Sequence, residues 1–170
     1  MRKLLFTVFL LLGAAGLHAQ IDEAALLDMI NQLRADGCDC GNRPVRPTSE
    51  VHWNAELAET AKSYAEYLEE NNNELVVGQH MFLSHVGLDG STLEDRLRDG
   101  GVQARYAVEN LACIESDKEV MVMDHWLNNP ESCLHLMDRD VNIVGAGRSG
   151  KFWVIILAQT TLNKDKEQYK

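Results

Sequence analysis

The sequence predicts an α/β fold in which a sheet lies between helical layers. Three observations carry this. Phe152-Trp153-Val154-Ile155-Ile156-Leu157 is apolar at every position, the pattern of a strand covered on both faces. Leu26, Met29, Ile30 and Leu33 recur at helical spacing, as do Leu57, Ala61, Tyr64, Ala65 and Leu68. Arg148-Ser149-Gly150-Lys151 separates two strand-like runs, 141–147 and 152–159, and reads as the turn of a hairpin.

Residues 1–19 stand outside this fold. Arg2 and Lys3 precede a short apolar stretch, 4–12, and Leu17-His18-Ala19 resembles a small-residue cleavage site. This is the organisation of a secretory signal peptide cut between Ala19 and Gln20. The alternative is an uncleaved membrane anchor, but the apolar stretch is shorter than the roughly 20 residues that span a bilayer, so no integral membrane segment is expected in the mature chain. The expected location is secreted or periplasmic. A single domain over 20–162 and a charged C-terminal tail over 163–170 complete the organisation.

Within the domain, the first helix is predicted over 22–35 and stops at Gly37. A loop with Pro44 and Pro47 follows. Asn54 is a suitable cap for a second helix that ends at Asn71-Asn72-Asn73. Its glutamates, Glu56, Glu59, Glu66, Glu69 and Glu70, form a solvated face. Ser91-Thr92-Leu93-Glu94 and Ser116-Asp117-Lys118-Glu119 both read as capping boxes opening helices. The first of these helices runs to Asp99. In the second, Val120, Met123 and Leu127 follow at helical spacing. Residues 104–112 suit a strand or an extended loop. Trp53, Trp126 and Trp153 are expected core anchors.

The full chain of 170 residues carries a formal net charge of −10. Loss of Arg2 and Lys3 with the leader takes this from −10 to −12. Such a chain cannot release counterions from phosphate, which argues against nucleic acid as a partner. The cysteine count is 4. In an exported chain an even count argues for disulfides. Cys38 and Cys40 are C-x-C, not the C-x-x-C of common zinc sites. Three pairings are open. A Cys38–Cys40 bond would close a very tight ring, and we favour Cys40–Cys133 together with Cys38–Cys113.

Several local motifs then resemble a known family, in its order and spacing. They are Ile30-Asn31-Gln32-Leu33-Arg34 with Gly37-Cys38-Asp39-Cys40-Gly41, Val51-His52-Trp53-Asn54-Ala55-Glu56-Leu57, Phe82-Leu83-Ser84-His85, Asp89-Gly90-Ser91 with Asp95-Arg96, and Val108-Glu109-Asn110-Leu111-Ala112. Trp126-Leu127-Asn128-Asn129-Pro130, Cys133 with Leu136-Met137, and Val144-Gly145-Ala146-Gly147 with Trp153 continue the series. Together they resemble the bacterial branch of the CAP superfamily, which holds the SCP domains of cysteine-rich secretory, antigen 5 and pathogenesis-related proteins. The resemblance implies a three-layer α-β-α sandwich around a mostly antiparallel sheet. It also implies a cleft built from two histidines and one or two acidic residues.

By motif position, His85 and Glu109 match that cleft directly. The family's second histidine precedes the cysteine, where this chain has Ser132. His135 stands three residues further on, about one helical turn away. Glu131 is the nearest match for a second acidic residue. Three readings of the cleft follow. His85, Glu109 and His135 are a candidate ligand set for a divalent metal such as zinc, although no cofactor is required. His85 and Glu109 are also candidates for hydrolysis, with Ser132 or Ser84 as nucleophile, but no G-x-S-x-G elbow accompanies them. Finally, the pair can simply hydrogen-bond across the cleft and tie two segments together. The leading expectation is a non-enzymatic binding module for a lipid, a glycan or a protein, the alternative a metal-dependent or His/Glu-assisted hydrolase. His52, His80 and His125 are expected to carry no function.

Overall fold

The computed structural model describes residues 21–77 and 80–160. The proposed leader and the charged tail lie outside the described residues. Helix α1, Glu23–Asp36, starts where the sequence places it, because the Asp22 carboxylate accepts from the Ala25 N–H. It ends at Gly37, whose φ of 74° lies in the region that glycine tolerates without strain. Helix α2, Ala55–Glu70, is capped by Asn54 through the Leu57 N–H. The short helix α3, Leu93–Asp99, opens with a capping box one residue later than expected: Thr92 caps it and Asp95 reaches back. Paired hydrogen bonds from Thr92 hold the Asp95 carboxyl down at about 2.

Helix α4, Glu119–Leu127, forms without the expected capping box, since no side chain caps the first turn. Ser116 Oγ instead accepts from the Lys118 N–H. Its buried side chains are Val122, Met123 and Trp126, while Val120 is exposed. Helix α5, Pro130–Leu136, has proline in its first turn and Asn129 as its cap.

The central sheet has four strands, which we number in chain order with those of two small ribbons. Strands β1, Cys38–Asp39, and β2, Pro44–Val45, form one ribbon; β4, Val76–Val77, and β5, His80–Met81, form the other. The sheet itself contains β3, His52–Trp53, β6, Tyr106–Cys113, β7, Ile143–Ser149, and β8, Phe152–Gln159, in the order β3-β7-β8-β6. Only the β3–β7 pair is parallel. The 104–112 segment is thus a strand, with Glu109 opposite Ile156 and Asn110 opposite Ile155.

Strand β8 divides the core by its alternation. Trp153, Ile155 and Leu157 pack with Leu26 and Ile30 of α1, Met123 and Trp126 of α4, and Leu136 of α5. Phe152, Val154, Ile156 and Ala158 pack with the apolar face of α2 and Leu97 of α3. Period-two alternation across a sheet with helices on both faces requires apolar residues at every position. This is the three-layer α-β-α arrangement. Gly145 and Gly147 let α2 lie directly on β7. A Cβ on Gly147 would stand 2.2 Å from Lys62 Cα, and one on Gly145 2.3 Å from the Ala58 backbone N.

Trp126 and Trp153 are fully buried, and Trp53 packs at the edge of the same cluster. Arg34 is a fully buried cation that the sequence reading did not single out. Its guanidinium donates to the Ser49 and Leu136 carbonyls, tying α1 to the following loop and to the end of α5, where helix carbonyls lack intrahelical partners.

Candidate functional site: a cleft centred on Glu109

Glu109 sits mid-strand on β6, with its side chain 1% exposed. A buried carboxylate is strongly disfavoured without partners, and this one has two. Arg96 Nη2 donates to both oxygens, at 2.8 Å to Oε2 and 3.1 Å to Oε1. His85 Nδ1 lies 2.8 Å from Oε1. An ionised carboxylate only accepts, so Nδ1–H is the donor and Nε2 forms the other end of a ring that is 60% exposed. The hydrogen bond to Glu109 raises the His85 pKa above its ordinary value, against the opposing effects of burial and of Arg96.

Arg96 comes from α3 and is one of two cleft residues that the sequence reading did not single out. Its guanidinium lies 3.5 Å from the centre of the Tyr64 ring, a cation–π geometry. It also donates to the carbonyls of His85 and Ser91. Tyr64 in turn donates to the Ser84 carbonyl at 2.6 Å, and burial raises its phenol to about 12. Tyr64 and Tyr67 stack at 5.7 Å, and Tyr67 Oη accepts from the Asp89 N–H. The loop bearing His85 is thereby fastened to α2 and α3 by named contacts. A groove of about 510 Å³ runs along the same side, lined by Tyr64, Tyr67, Asp89, Ser91 and Arg96 among others. Phe82, Val86 and Leu88, beside His85, present exposed apolar side chains.

His135 reaches the cleft by a different route. Its Nδ1 lies 2.7 Å from Asn110 Oδ1, and Asn110 Nδ2 donates to the Ser132 carbonyl. Asn110, buried and next to Glu109 on β6, therefore anchors α5 to the sheet. Burial lowers the His135 pKa, and the nearby charge of His85 lowers it further. The signal for both missed residues lay in the motifs: Arg96 closes Asp95-Arg96, and Asn110 follows Glu109 in Val108-Glu109-Asn110.

The three residues expected to hold zinc are not among the close ligand groups of the described residues. Among the described residues, the only group of three whose ligand atoms all lie within 4.8 Å of one another is Cys38, Cys40 and Cys133. His85, Glu109 and His135 do not meet that spacing. Arg96 already supplies the positive charge at Glu109, whereas the Nδ1 contacts of His85 and His135 orient the two rings and do not occupy Nε2. Ser132 and Ser84 are not aligned as nucleophiles. The Ser132 N–H caps onto Asn129, Ser84 Oγ accepts from the Val86 N–H, and neither seryl oxygen is hydrogen-bonded to His85 or His135 among the contacts of the described residues. Glu131 is exposed on the first turn of α5. It acts on both histidines only through its charge.

The cysteines divide unequally. Cys40 is bonded to Cys133, which staples the loop after α1 to α5. The expected Cys38–Cys113 bond is absent, and both are free thiols. The reason is their position. Cys38 lies in the small cluster around the Cys40–Cys133 bond, whereas Cys113 ends β6 and packs with the α2 side of the core.

The model of the CAP (cysteine-rich secretory protein) family matches residues 27–152. The chain belongs to the CAP family. An uncharacterized membrane protein, YlbC, of Bacillus subtilis is 28% identical to this CAP chain over 131 residues, 77% of the chain but 32% of YlbC. The chain thus spans about a third of that relative's length. Among solved structures, an extracellular SCP-domain protein from Bacillus anthracis superposes with a TM-score of 0.66 at 22% identity, over 81% of this chain and 40% of that one. An outer surface protein from Borrelia burgdorferi gives 0.63 at 21% identity, over 84% and 98%. These likenesses establish the CAP fold. No helix among the described residues is long and apolar enough to cross a membrane.

Proposed function

We propose that this CAP domain is a non-enzymatic binding module acting outside the cytoplasm. The observation that carries the reading is the commitment of Glu109 to Arg96. A carboxylate that orients a histidine base works best when its charge is free to stabilise the imidazolium. Here a guanidinium shares that charge, and among the described residues no seryl oxygen is hydrogen-bonded to His85. The arrangement suits recognition instead. His85 offers a half-exposed polar edge, and Phe82, Val86 and Leu88, close to it in the chain, offer exposed apolar surface. A lipid, a glycan or a protein segment with a polar group beside an apolar face fits that pattern. The export-type N-terminus supports action outside the cytoplasm. So does the description of two structural relatives as an extracellular protein and an outer surface protein.

The test is turnover. Purified protein is incubated with chromogenic esters and a peptide library, with and without added zinc. The reading expects no hydrolysis above a His85→Ala control. Zinc-dependent or zinc-independent turnover that disappears in His85→Ala would replace it with the hydrolase.

A further inference from the structure

We propose that Cys38, Cys40 and Cys133 form an exchangeable cluster in which the disulfide can migrate from Cys40–Cys133 to Cys38–Cys133. The proximity of the three sulfurs carries this. Cys38 Sγ lies 3.6 Å from Cys133 Sγ and 3.7 Å from Cys40 Sγ, in contact with both but side-on to the bond, so attack in line with it requires the Cys38 side chain to swing toward the Cys133 end. Cys38 is held there by the β1–β2 ribbon, in which it pairs with Val45, and by the apolar packing of Val45, Leu134 and Met137 around the bond. It is half-buried, so it is shielded but not sealed from solvent.

Thiol–disulfide exchange proceeds by attack of a thiolate on one sulfur of the bond. Attack at Cys133 forms a Cys38–Cys133 bond and breaks Cys40–Cys133. The electron pair of the broken bond remains on Cys40 Sγ, which takes up the proton that Cys38 gave up. The step needs no external oxidant or reductant. Attack at Cys40 would instead make the Cys38–Cys40 ring, which the geometry of disulfides disfavours. The migrated bond would still join the loop after α1 to α5, so the staple persists while the free thiol moves by two residues. Burial and the adjacent Asp39 raise the Cys38 pKa, which keeps the thiolate scarce and the migration slow.

Two measurements on the purified protein test this. First, Cys40→Ser is oxidised with glutathione disulfide, and its bonds are mapped by non-reducing peptide mass spectrometry. A Cys38–Cys133 bond is expected at a yield comparable to the native bond. Free Cys38 and Cys133 under conditions that close the wild-type bond would overturn the proposal. Second, wild-type protein is held without blocking agent and then pulsed with N-ethylmaleimide, which needs no variant to fold. Label is expected at Cys40 as well as Cys38. Label in the cluster confined to Cys38, however long the hold, would overturn it.

Discussion

Arg96 and Glu109 meet at 2.8 Å inside the cleft, with the guanidinium lying over the Tyr64 ring. Both side chains are largely withdrawn from water, at 11% and 1% exposed. Removing one partner of such a pair leaves an uncompensated charge. Arg96→Met is therefore expected to cost about 3–5 kcal/mol of stability, read by urea denaturation. Adding Glu109→Gln to that variant should recover part of the loss, a coupling that distant substitutions would not show. Equal losses in the single and double variants would contradict this.

The two cleft histidines are expected to titrate in opposite directions from an ordinary imidazole. His85 is raised, chiefly by its hydrogen bond to Glu109, and His135 is lowered, chiefly by burial. For His85 the folded pKa exceeds the unfolded one. Its stabilising contribution is complete below the unfolded value of about 6.5 and is lost as pH rises through the folded pKa. For His135 the folded state resists protonation, so its effect opposes folding as pH falls below the unfolded value. NMR titration of the two ring resonances checks both signs, and Glu109→Gln should bring the His85 value down.

Tyr64→Phe keeps the ring under Arg96 but removes the donor to the Ser84 carbonyl. A loss of about 1 kcal/mol is expected. Faster amide hydrogen exchange should appear in the segment around His85 and spare the central sheet.

Gly147→Ala tests how closely α2 lies on β7. Its Cβ would meet the Lys62 backbone in the middle of α2, where no flexible side chain can yield. Overpacking of this kind costs about 1–3 kcal/mol, measurable as a lowered urea midpoint with an unchanged slope.

What could be read from the sequence follows from the range of the interactions involved. Strand β8 and helices α1 and α2 were legible because their periodicity and caps are local: Asp22 caps at Ala25, Asn54 at Leu57, and Gly37 stops the turn. The Ser116 box was misleading because its Ser–Glu spacing is met, while the chain there makes a turn onto Lys118 instead. His85 and Glu109 were legible through the family motifs. Arg96 and Asn110 lay inside the same motifs, but their roles depend on contacts between elements far apart in the chain, α3 with β6 and β6 with α5. The Cys38–Cys113 pairing failed for a related reason. Counting cysteines says nothing about which side of the sheet each one occupies.

The claim that the cleft binds rather than catalyses is tested most directly by native mass spectrometry of the protein recovered from cells that express it. The account predicts a retained non-covalent ligand on the wild type that is lost or much reduced in His85→Ala and in Leu88→Ser, with the fold of both variants intact by circular dichroism. Equal ligand retention in the wild type and both variants would contradict it.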